Sequence, residues 1–270
     1  MMVTELIEAL SLPDSCRIDQ RVPKKMLIEN GAPTSGDKRL INEVIEEIRW
    51  IAALKPNTIG VPDYRDEHRE YREVVVLSVV TRSTCAVAAH AGVASPAGGA
   101  VTKSVNAARL AELMHRAVPY PVLLLITTPK GQFLSVAHKR WAQNEAGKVV
   151  LDGEVTTVDF IGDLRFTRAF MQSLAVTSQP QGTLMTLYQG WQNCLAALLA
   201  ARHTGTFVAL DDPKQADARR TALCECQRLE QEAARIRAQA QKAKQMAVRV
   251  DLNLALKRVE ADLSAAREQL

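Results

Sequence analysis

The segment from Lys214 to Leu270 constrains the fold of this chain most, because it contains neither glycine nor proline. Its composition, dominated by Ala, Gln, Glu, Arg and Lys, favours helix. Apolar residues recur there at alternating spacings of four and three: Ala222, Cys226, Leu229, Ala233, Ile236, Ala240, Ala243, Ala247, Val250 and Leu254. This spacing is the seam of a coiled coil or a helical hairpin. The chain must therefore pack a long helical stripe against a second surface.

A second apolar stripe follows in a different register, made of Leu252, Leu256, Val259, Leu263, Ala266 and Leu270. The two-residue offset swings the stripe by about 200°, so one straight helix cannot present both stripes to one partner. The β-branched pair in Val248-Arg249-Val250 and the capping candidate Asp251 mark the expected break. We expect two helices that fold back as a hairpin or engage two surfaces, with helix–helix contacts through Leu229, Ile236, Val250, Leu254, Leu256, Val259 and Leu263.

The part of the chain before this tail mixes helical and strand patterns. Apolar residues at three- and four-residue spacing predict a helix over 38–54, and a short strand is expected at 57–61. The run REVVVLSVV at 72–80 is β-branched without alternation, which is typical of a strand buried on both faces. A second helix at 103–117 leads into a strand at 122–127.

Turn residues predict two hairpins in the next segment. Thr128 to Gly131 should turn the chain into a returning strand, and Asp152-Gly153 should join two further strands. The order of elements predicts an α/β (α+β) domain with a mixed sheet, followed by an all-helical part ending in a coiled-coil or helical-hairpin tail. We expect an α/β domain at 1–170, a helical connector at 171–210 and the helical tail at 211–270. The Ala- and Gly-rich segment 84–101 is interpreted as an irregular insertion of unknown role.

Composition bounds the class of protein. Apolar residues make up 47% and charged residues 24% of the 270 residues, which is typical of a folded globular chain. The apolar runs Val74–Val80 and Pro121–Ile126 are too short to cross a bilayer. Five scattered cysteines indicate a reducing compartment, and the N-terminus lacks the pattern of a secretory signal. The sequence therefore predicts a cytoplasmic protein without a membrane partner.

Positive charge is concentrated in the tail, where residues 219–249 hold eight basic against three acidic side chains. Such a helix can follow a phosphate backbone, although mixed charge of this kind is routine on a solvated coiled-coil face, which is the favoured interpretation. The candidate contacts to nucleic acid or a partner in this helix are Arg235, Arg237, Lys242 and Lys244.

A second candidate binding segment is the strand end His138-Lys139-Arg140-Trp141. Its cationic side chains could bind phosphate or an acidic partner, with Trp141 as an anchor. The same residues could be a strand end whose basic side chains reach from apolar stems to solvent. Both interpretations stay open at the level of sequence.

Motifs for catalysis are absent from the sequence. It contains neither a P-loop nor a GxSxG elbow, and Cys224 and Cys226 are spaced as an i, i+2 pair that does not share a helix face. Asp63 and Glu73 could be nuclease acids, but Val75 stands where the lysine of such a site belongs. We therefore expect no catalytic residue, no metal and no cofactor, with an active nuclease as an alternative.

Six segments together resemble the uncharacterised bacterial family catalogued as domain of unknown function 4391. They are GDKRLINEVIEEIRWIAALKPNTIGVP, REVVVLSVV, ARLAELMHRAVPYPVLLLI, LSVAHKRW, KVVLDGE and VDLNLALKRVEADL. The resemblance extends from about residue 6 to residue 270. It implies a neighbourhood of DNA helicases and DNA methyltransferases in restriction-like or antiphage defence clusters, and it carries over no catalytic residues.

Three functions follow as hypotheses. The first is a non-enzymatic accessory subunit of a bacterial DNA-directed defence complex that docks a helicase, a methyltransferase or both, with DNA as a further candidate partner. The second is a nuclease-like domain that binds or cleaves DNA. The third is a structural protein that forms homo-oligomers through its tail.

Overall fold

A computed structural model of the chain describes residues 3–82, 86–88, 104–129, 131–143, 145, 147–159, 166–210 and 212–270, with 86–88 and 104–106 described by their backbone alone. It divides into two compact units, residues 1–195 and 196–270. The three-part division expected from the sequence is finer and stays a prediction. Within the described ranges, no helix is both long and apolar enough to cross a membrane.

The first unit alternates helices and strands. Its helices are α1 (Val3–Ala9), α2 (Lys24–Gly31), α3 (Ser35–Val44), α4 (Pro56–Ile59), α5 (Ala107–Ala117), α6 (Thr167–Ser173) and the first part of α7 (Leu184–Thr204). Its strands are β1 (Arg17–Arg21), β2 (Ile45–Leu54), β3 (Tyr64–Arg65), β4 (Glu70–Tyr71), β5 (Val74–Thr81), β6 (Ala86–Ala88), β7 (Ser104–Asn106), β8 (Val122–Thr128), β9 (Gly131–Trp141) and β10 (Val149–Asp159).

Six strands form one mixed sheet in the order β1-β2-β5-β8-β9-β10. The central strands β5 and β8 run parallel and are connected through α5, whereas the other neighbours are antiparallel. Both central strands are buried almost throughout, as the β-branched run at 72–80 predicts. The predicted fold class, a mixed sheet with helices followed by a helical C-terminal part, is confirmed.

One face of the sheet packs against α5, α2 and α3. The buried core there includes Ile41, Leu110, Leu113, Leu124 and Phe133. Helix α5 presents a strongly one-sided apolar surface, and its polar side carries Arg109, which forms an ion pair with Asp37 of α3 at 2.9 Å. This packing fixes the C-terminal end of α5 beside β9.

The helix predicted over 38–54 is wrong in its second half. Helix α3 ends at Val44, and the residues that follow form β2. The pairing of β2 with β5 shifts register between Ile45 and Glu47 and again between Trp50 and Ala52. Each irregularity adds a residue to the two-residue alternation of a strand. The apolar positions of β2 therefore fall at the three-residue spacing that resembles a helix.

Two further predictions in this unit need correction. The expected strand at 57–61 is instead the short helix α4, with Pro56 in its first turn. The expected hairpin at Asp152-Gly153 is a single strand, β10, whose pairing with β9 shifts register between Asp152 and Thr156. Gly153 has φ +82° and lies within this irregularity, so the favoured turn pair produces a bulge. Most of the segment 84–101 lies outside the described residues.

The second unit contains the long helices α8 (Pro213–Lys242) and α9 (Met246–Arg267), which pack together as a hairpin. The hairpin is the first of the two arrangements that the sequence left open. Its core consists of Cys226, Leu229, Ala233, Ile236, Val259, Leu263 and Ala266. Two ion pairs link the helices, Arg237 with Glu260 at 2.6 Å and Arg267 with Glu230 at 2.8 Å.

The break between the helices lies earlier than the sequence predicts. It falls at residues 243–245, and the expected break residues Val248 to Asp251 belong to α9, where they are exposed. None of residues 243–245 is a strong helix breaker. The point of reversal is therefore set by the pairing of the two apolar stripes and not by local propensity.

A matched pair of leucines tests this assignment of the hairpin core. Leu229 is 2% exposed and Leu254 is 52% exposed. We expect Leu229→Ala to lower the stability of the hairpin by about 2–5 kcal/mol, because it leaves a cavity, and Leu254→Ala to change it by less than about 0.5 kcal/mol. Hydrogen exchange of α8 and α9 peptides measures both. Equal effects of the two substitutions would contradict the described core.

Candidate functional site

The C-terminal part of β9 places the predicted segment His138 to Trp141 on two faces of the sheet. Successive residues of a strand point to opposite faces. Lys139 turns toward α5, and His138 turns toward β4 and α7. His138 therefore has surroundings of its own, apart from those of the three residues that follow it.

The hydroxyl group of Tyr188, on α7, lies between β8 and β9 at the point where their pairing ends. The ladder of the two strands runs from Thr128 opposite Gly131 to Leu124 opposite Ser135. Beyond it, the Tyr188 hydroxyl accepts a hydrogen bond from the backbone N–H of Ala137 at 2.8 Å and donates one to the carbonyl of Val122 at 2.7 Å. A side chain thus replaces the strand-to-strand bonds, and the two chain segments separate beyond it.

His138 is held inside the protein by a network of polar side chains. Its Nε2 lies 2.9 Å from Oε1 of Gln189, an acceptor, so Nε2 carries the proton. Nδ1 therefore accepts a hydrogen bond from the hydroxyl of Tyr71. The ring centroid of His138 lies 5.3 Å from that of Tyr188. Burial raises the pKa of Tyr71 and of Tyr188, so both hydroxyls stay protonated. His138 orients β9 and does not line the clefts described below.

Lys139 is only 3% exposed, and its ammonium group lies at the C-terminal end of α5. Nζ donates hydrogen bonds to the carbonyl of His115, in the last turn of α5, and to that of Val118, the residue that follows the helix. Burial lowers the pKa of Lys139 to about 7, and the negative end of the helix dipole opposes that shift. These hydrogen bonds connect α5 to β9. Among the described residues, only carbonyl groups compensate the charge of Lys139.

A second buried polar group, His115, lies on the same face of the sheet. Thr157 donates to Oγ of Ser135 at 3.0 Å, and Ser135 lies 3.0 Å from Nε2 of His115. Burial, and to a lesser extent the charge of Lys139, lowers the pKa of His115 to about 3, so the ring is neutral. Nδ1 of His115 has no hydrogen-bond partner among the described residues. This chain of groups is enclosed and gives no exposed nucleophile.

A cleft of about 210 Å³ opens where β8 and β9 separate. Its walls come from the turn before β8, the end of β9 and the strand β4, and they include Glu70, Arg72, Tyr120, Lys139, Arg140 and Trp141. We call it the β9 cleft. A second cleft of about 410 Å³ lies on the other side of Arg140 and Trp141 and is lined by Asp66, Glu67, His68, Arg69 and Asp152 as well.

The arginines around the β9 cleft outnumber the carboxylates that they bind. Glu70 is shared by Arg72 at 2.8 Å and Arg65 at 3.6 Å. Asp152 is shared by Arg69 at 2.6 Å and Arg140 at 3.7 Å. Two carboxylates thus serve four guanidinium groups. Of these four, Arg72 and Arg140 line the β9 cleft.

The acids considered for a nuclease do not form a metal site in the structure. Glu73 pairs with Lys55 at 2.9 Å, and Asp63 is exposed. Among the described residues, no group of three or more His, Cys, Asp or Glu side chains could hold a metal ion.

The basic residues predicted in the tail differ in their surroundings. Arg237 is paired with Glu260 across the hairpin, and Arg235 lies 3.8 Å from Glu232. Lys242 and Lys244 have no carboxylate within 4.0 Å in the part of the chain that the structure describes. Of these four predicted residues, the two without a carboxylate partner therefore lie at the turn of the hairpin.

The apolar residues predicted for helix–helix contact separate into two groups. Leu229, Ile236, Leu256, Val259 and Leu263 form or border the core between α8 and α9. Val250 and Leu254 lie outside that core and are exposed, together with Met246 and Val248. We define residues 242–254 as the hairpin tip.

Part of the tip forms a regular apolar stripe. Met246, Val250 and Leu254 are four residues apart, so they follow one side of α9, roughly half a turn around the helix from the seam of Val259 and Leu263. Met246 is 69% exposed. The tip thus presents apolar side chains in a direction that α8 does not cover.

Sequence reasoning missed the residues that shape the β9 cleft from elsewhere in the chain. Arg72 and Tyr120 line it, and Tyr188 separates the strands behind it. The Pro119-Tyr120-Pro121 turn was the available signal, because it keeps Tyr120 out of the ladder. No local pattern marks Tyr188, whose partners are distant in the sequence.

A comparison with protein families identifies the chain. A family model described as Domain of unknown function (DUF4391) matches residues 10–263. The chain belongs to this family. The match includes the whole six-stranded sheet, the β9 cleft and almost all of the hairpin, so the resemblance noted from the six sequence segments is confirmed. No match was found among curated proteins or among solved structures.

Removing the Tyr188 hydroxyl should destabilise the first unit. Tyr188→Phe leaves the N–H of Ala137 and the carbonyl of Val122 buried without their partner, so we expect a loss of about 1–3 kcal/mol. Tyr120→Phe, at a partly exposed ring, is the matched control. Urea unfolding followed by tryptophan fluorescence reports this unit, since all three tryptophans lie within residues 1–195. Equal midpoints for both variants would contradict the bridging role.

The buried ammonium of Lys139 predicts a dependence of stability on pH. Its pKa is about 7 in the folded protein, against about 10.4 in an unfolded chain, so the unfolded state binds more protons between these values. Stability from this group is fully present above pH 10.4 and is lost as pH falls toward 7. We therefore expect the free energy of unfolding of the wild type, relative to that of Lys139→Met, to rise by up to about 1.4 kcal/mol for each unit by which the pH increases between 7 and 9.

Urea unfolding of the wild type and of Lys139→Met at several pH values measures this difference in the free energy of unfolding. Groups that ionise in both proteins contribute equally and cancel in the difference. A difference that stays constant from pH 7 to 9 would place the folded pKa of Lys139 near its ordinary value.

Proposed function

We propose that the protein is a non-enzymatic accessory subunit of a bacterial DNA-directed defence complex of restriction-like or antiphage type. It acts in the cytoplasm and docks a DNA helicase or methyltransferase through the hairpin tip. The observation that carries this proposal is the apolar stripe of Met246, Val250 and Leu254, which faces away from the helix that packs on α9. Family membership supports the class of partner, because the resemblance implies helicase and methyltransferase neighbours.

The stripe has the features of a helix that inserts into a groove of another protein. Anchors of such helices recur along one side at i, i+3, i+4 and i+7, and the four-residue spacing of the stripe likewise keeps its side chains on one side. Isolated apolar residues on a surface are ordinary, but a continuous set at the end of a hairpin is a candidate interface. The apolar side chains of the tip gain free energy only when a second surface covers them.

The charge around the stripe specifies the chemistry of the partner surface. Lys242, Lys244 and Arg249 surround the start of α9, and no described carboxylate pairs with them. A groove that is apolar at its floor and acidic at its rim complements this arrangement. The basic rim would steer association, and the apolar stripe would hold the complex once it has formed.

Aspartate substitutions on the stripe test the proposal. A tagged full-length protein is recovered from its native host after nuclease treatment, so that DNA cannot bridge two proteins. We expect Val250→Asp/Leu254→Asp to reduce recovery of the helicase or methyltransferase at least about tenfold, because charge cannot enter an apolar groove. Met26→Asp, at a side chain of similar exposure in the first unit, is the control and should leave recovery unchanged.

Three results would contradict the proposal. The double variant could retain its partner, the partner could be lost on nuclease treatment, or the wild type could be recovered only with copies of itself. The last result would favour the homo-oligomer hypothesis. Far-UV circular dichroism of the double variant establishes that the hairpin is still helical.

A further inference from the structure

The β9 cleft joins aromatic and cationic groups that are far apart in the sequence. Tyr120, which is 37% exposed, and Trp141 lie on its walls together with Arg72, Lys139 and Arg140. Aromatic residues make up only 4% of the chain, and five of them, Tyr71, Phe133, Phe170, Tyr188 and Trp191, are buried elsewhere. A wall that combines rings with cations is the surface on which a base can stack while its phosphate is neutralised.

The cations of the cleft are available to an anion. Arg72 and Arg140 each share their carboxylate with a second arginine, Arg65 or Arg69. Arg140 meets Asp152 only at 3.7 Å, which is longer than a charge-assisted hydrogen bond. An incoming phosphate would therefore bind guanidinium groups that the protein has not fully satisfied.

Lys139 adds a third cation at the inner end of the cleft. An ammonium group has three N–H donors, and the carbonyls of His115 and Val118 accept from it. Lys139 has no carboxylate partner among the described residues, although it is buried. An anion above it would compensate a charge that now has only carbonyl dipoles nearby.

Acidic residues set the direction in which a ligand can lie. Asp66, Glu67 and Asp152 line the neighbouring cleft, on the far side of Trp141. A phosphate is repelled there and attracted on the side of Arg72 and Lys139. Trp141 lines both clefts, and its ring is the stacking surface that we infer for the base.

We propose that the β9 cleft binds a nucleoside phosphate, with the phosphate at Arg72, Lys139 and Arg140 and the base against Trp141. The ligand can be a free nucleotide or the 5′ end of a single DNA strand, since both carry this group. The inference goes beyond the docking of a protein partner, which uses the other unit of the chain and needs no nucleotide.

Calorimetric titration of the full-length protein with five probes tests the proposal: dAMP, deoxyadenosine, inorganic phosphate, and a short oligo(dA) in two forms, with and without a 5′ phosphate. We expect dAMP to bind at least about tenfold more tightly than deoxyadenosine or phosphate alone, because only dAMP uses both parts of the cleft. Tighter binding of the 5′-phosphorylated strand than of dAMP identifies a strand end as the ligand. Equal or weaker binding identifies the free nucleotide.

Substitutions separate the two parts of the cleft. We expect Arg72→Gln and Arg140→Gln each to weaken dAMP binding about tenfold, and Trp141→Ala to weaken it by a similar factor, with partial retention in Trp141→Phe. Arg39→Gln, at an exposed arginine on α3, is the matched control and should have no effect.

Three outcomes would overturn the proposal: no measurable binding of dAMP or the phosphorylated strand, binding that all these variants retain, or binding of phosphate alone as tight as that of dAMP. Because Trp141→Phe and Arg72→Gln replace side chains that are at least partly exposed, they keep the test valid if Trp141→Ala fails to fold.

Discussion

The hydroxyl of Tyr188 is the interaction on which the organisation of the first unit depends. Two central strands separate where their backbone groups would otherwise pair, and buried N–H and C=O groups must find partners. The hydroxyl supplies them from a helix 51 residues further along the chain than Ala137. Beyond this point the end of β9 is free to diverge from the start of β8. The β9 cleft lies in the space that this divergence opens, with Lys139 fastened to α5 at its inner end.

The second unit uses one pattern of apolar residues for two purposes. A helix can turn one face toward its neighbour, so only one register of an apolar stripe can enter the hairpin core. On α9 the stripe of Val259, Leu263 and Ala266 does so, whereas Val250 and Leu254 continue the earlier register past the break and remain exposed. The change of register therefore separates the surface that packs in the hairpin core from an exposed surface, which we propose as the docking surface.

Local pattern predicted those parts of the molecule that depend on neighbours in the sequence. The buried run of β5 and the apolar seams of α8 and α9 were recognisable, because each repeats at its own period. Strand β2 was mistaken for helix because bulges disturbed its alternation, and Gly153 produced a bulge where a turn was expected. Within the candidate site, the run ending in Trp141 was found from the sequence. Tyr188 and Arg72 were not, because they reach the site through pairings that no local pattern encodes.

Oxidative footprinting of the tip tests the central claim, that the hairpin carries the contact to a protein partner. Hydroxyl radicals oxidise accessible methionine to the sulfoxide. Met246 and Met26 are both exposed, at 69% and 53%, and lie in different units, so Met26 serves as the internal reference. The account predicts that oxidation of Met246 falls at least about tenfold in the complex with the helicase or methyltransferase, while that of Met26 does not change. An unchanged rate at Met246 in the purified complex would contradict it.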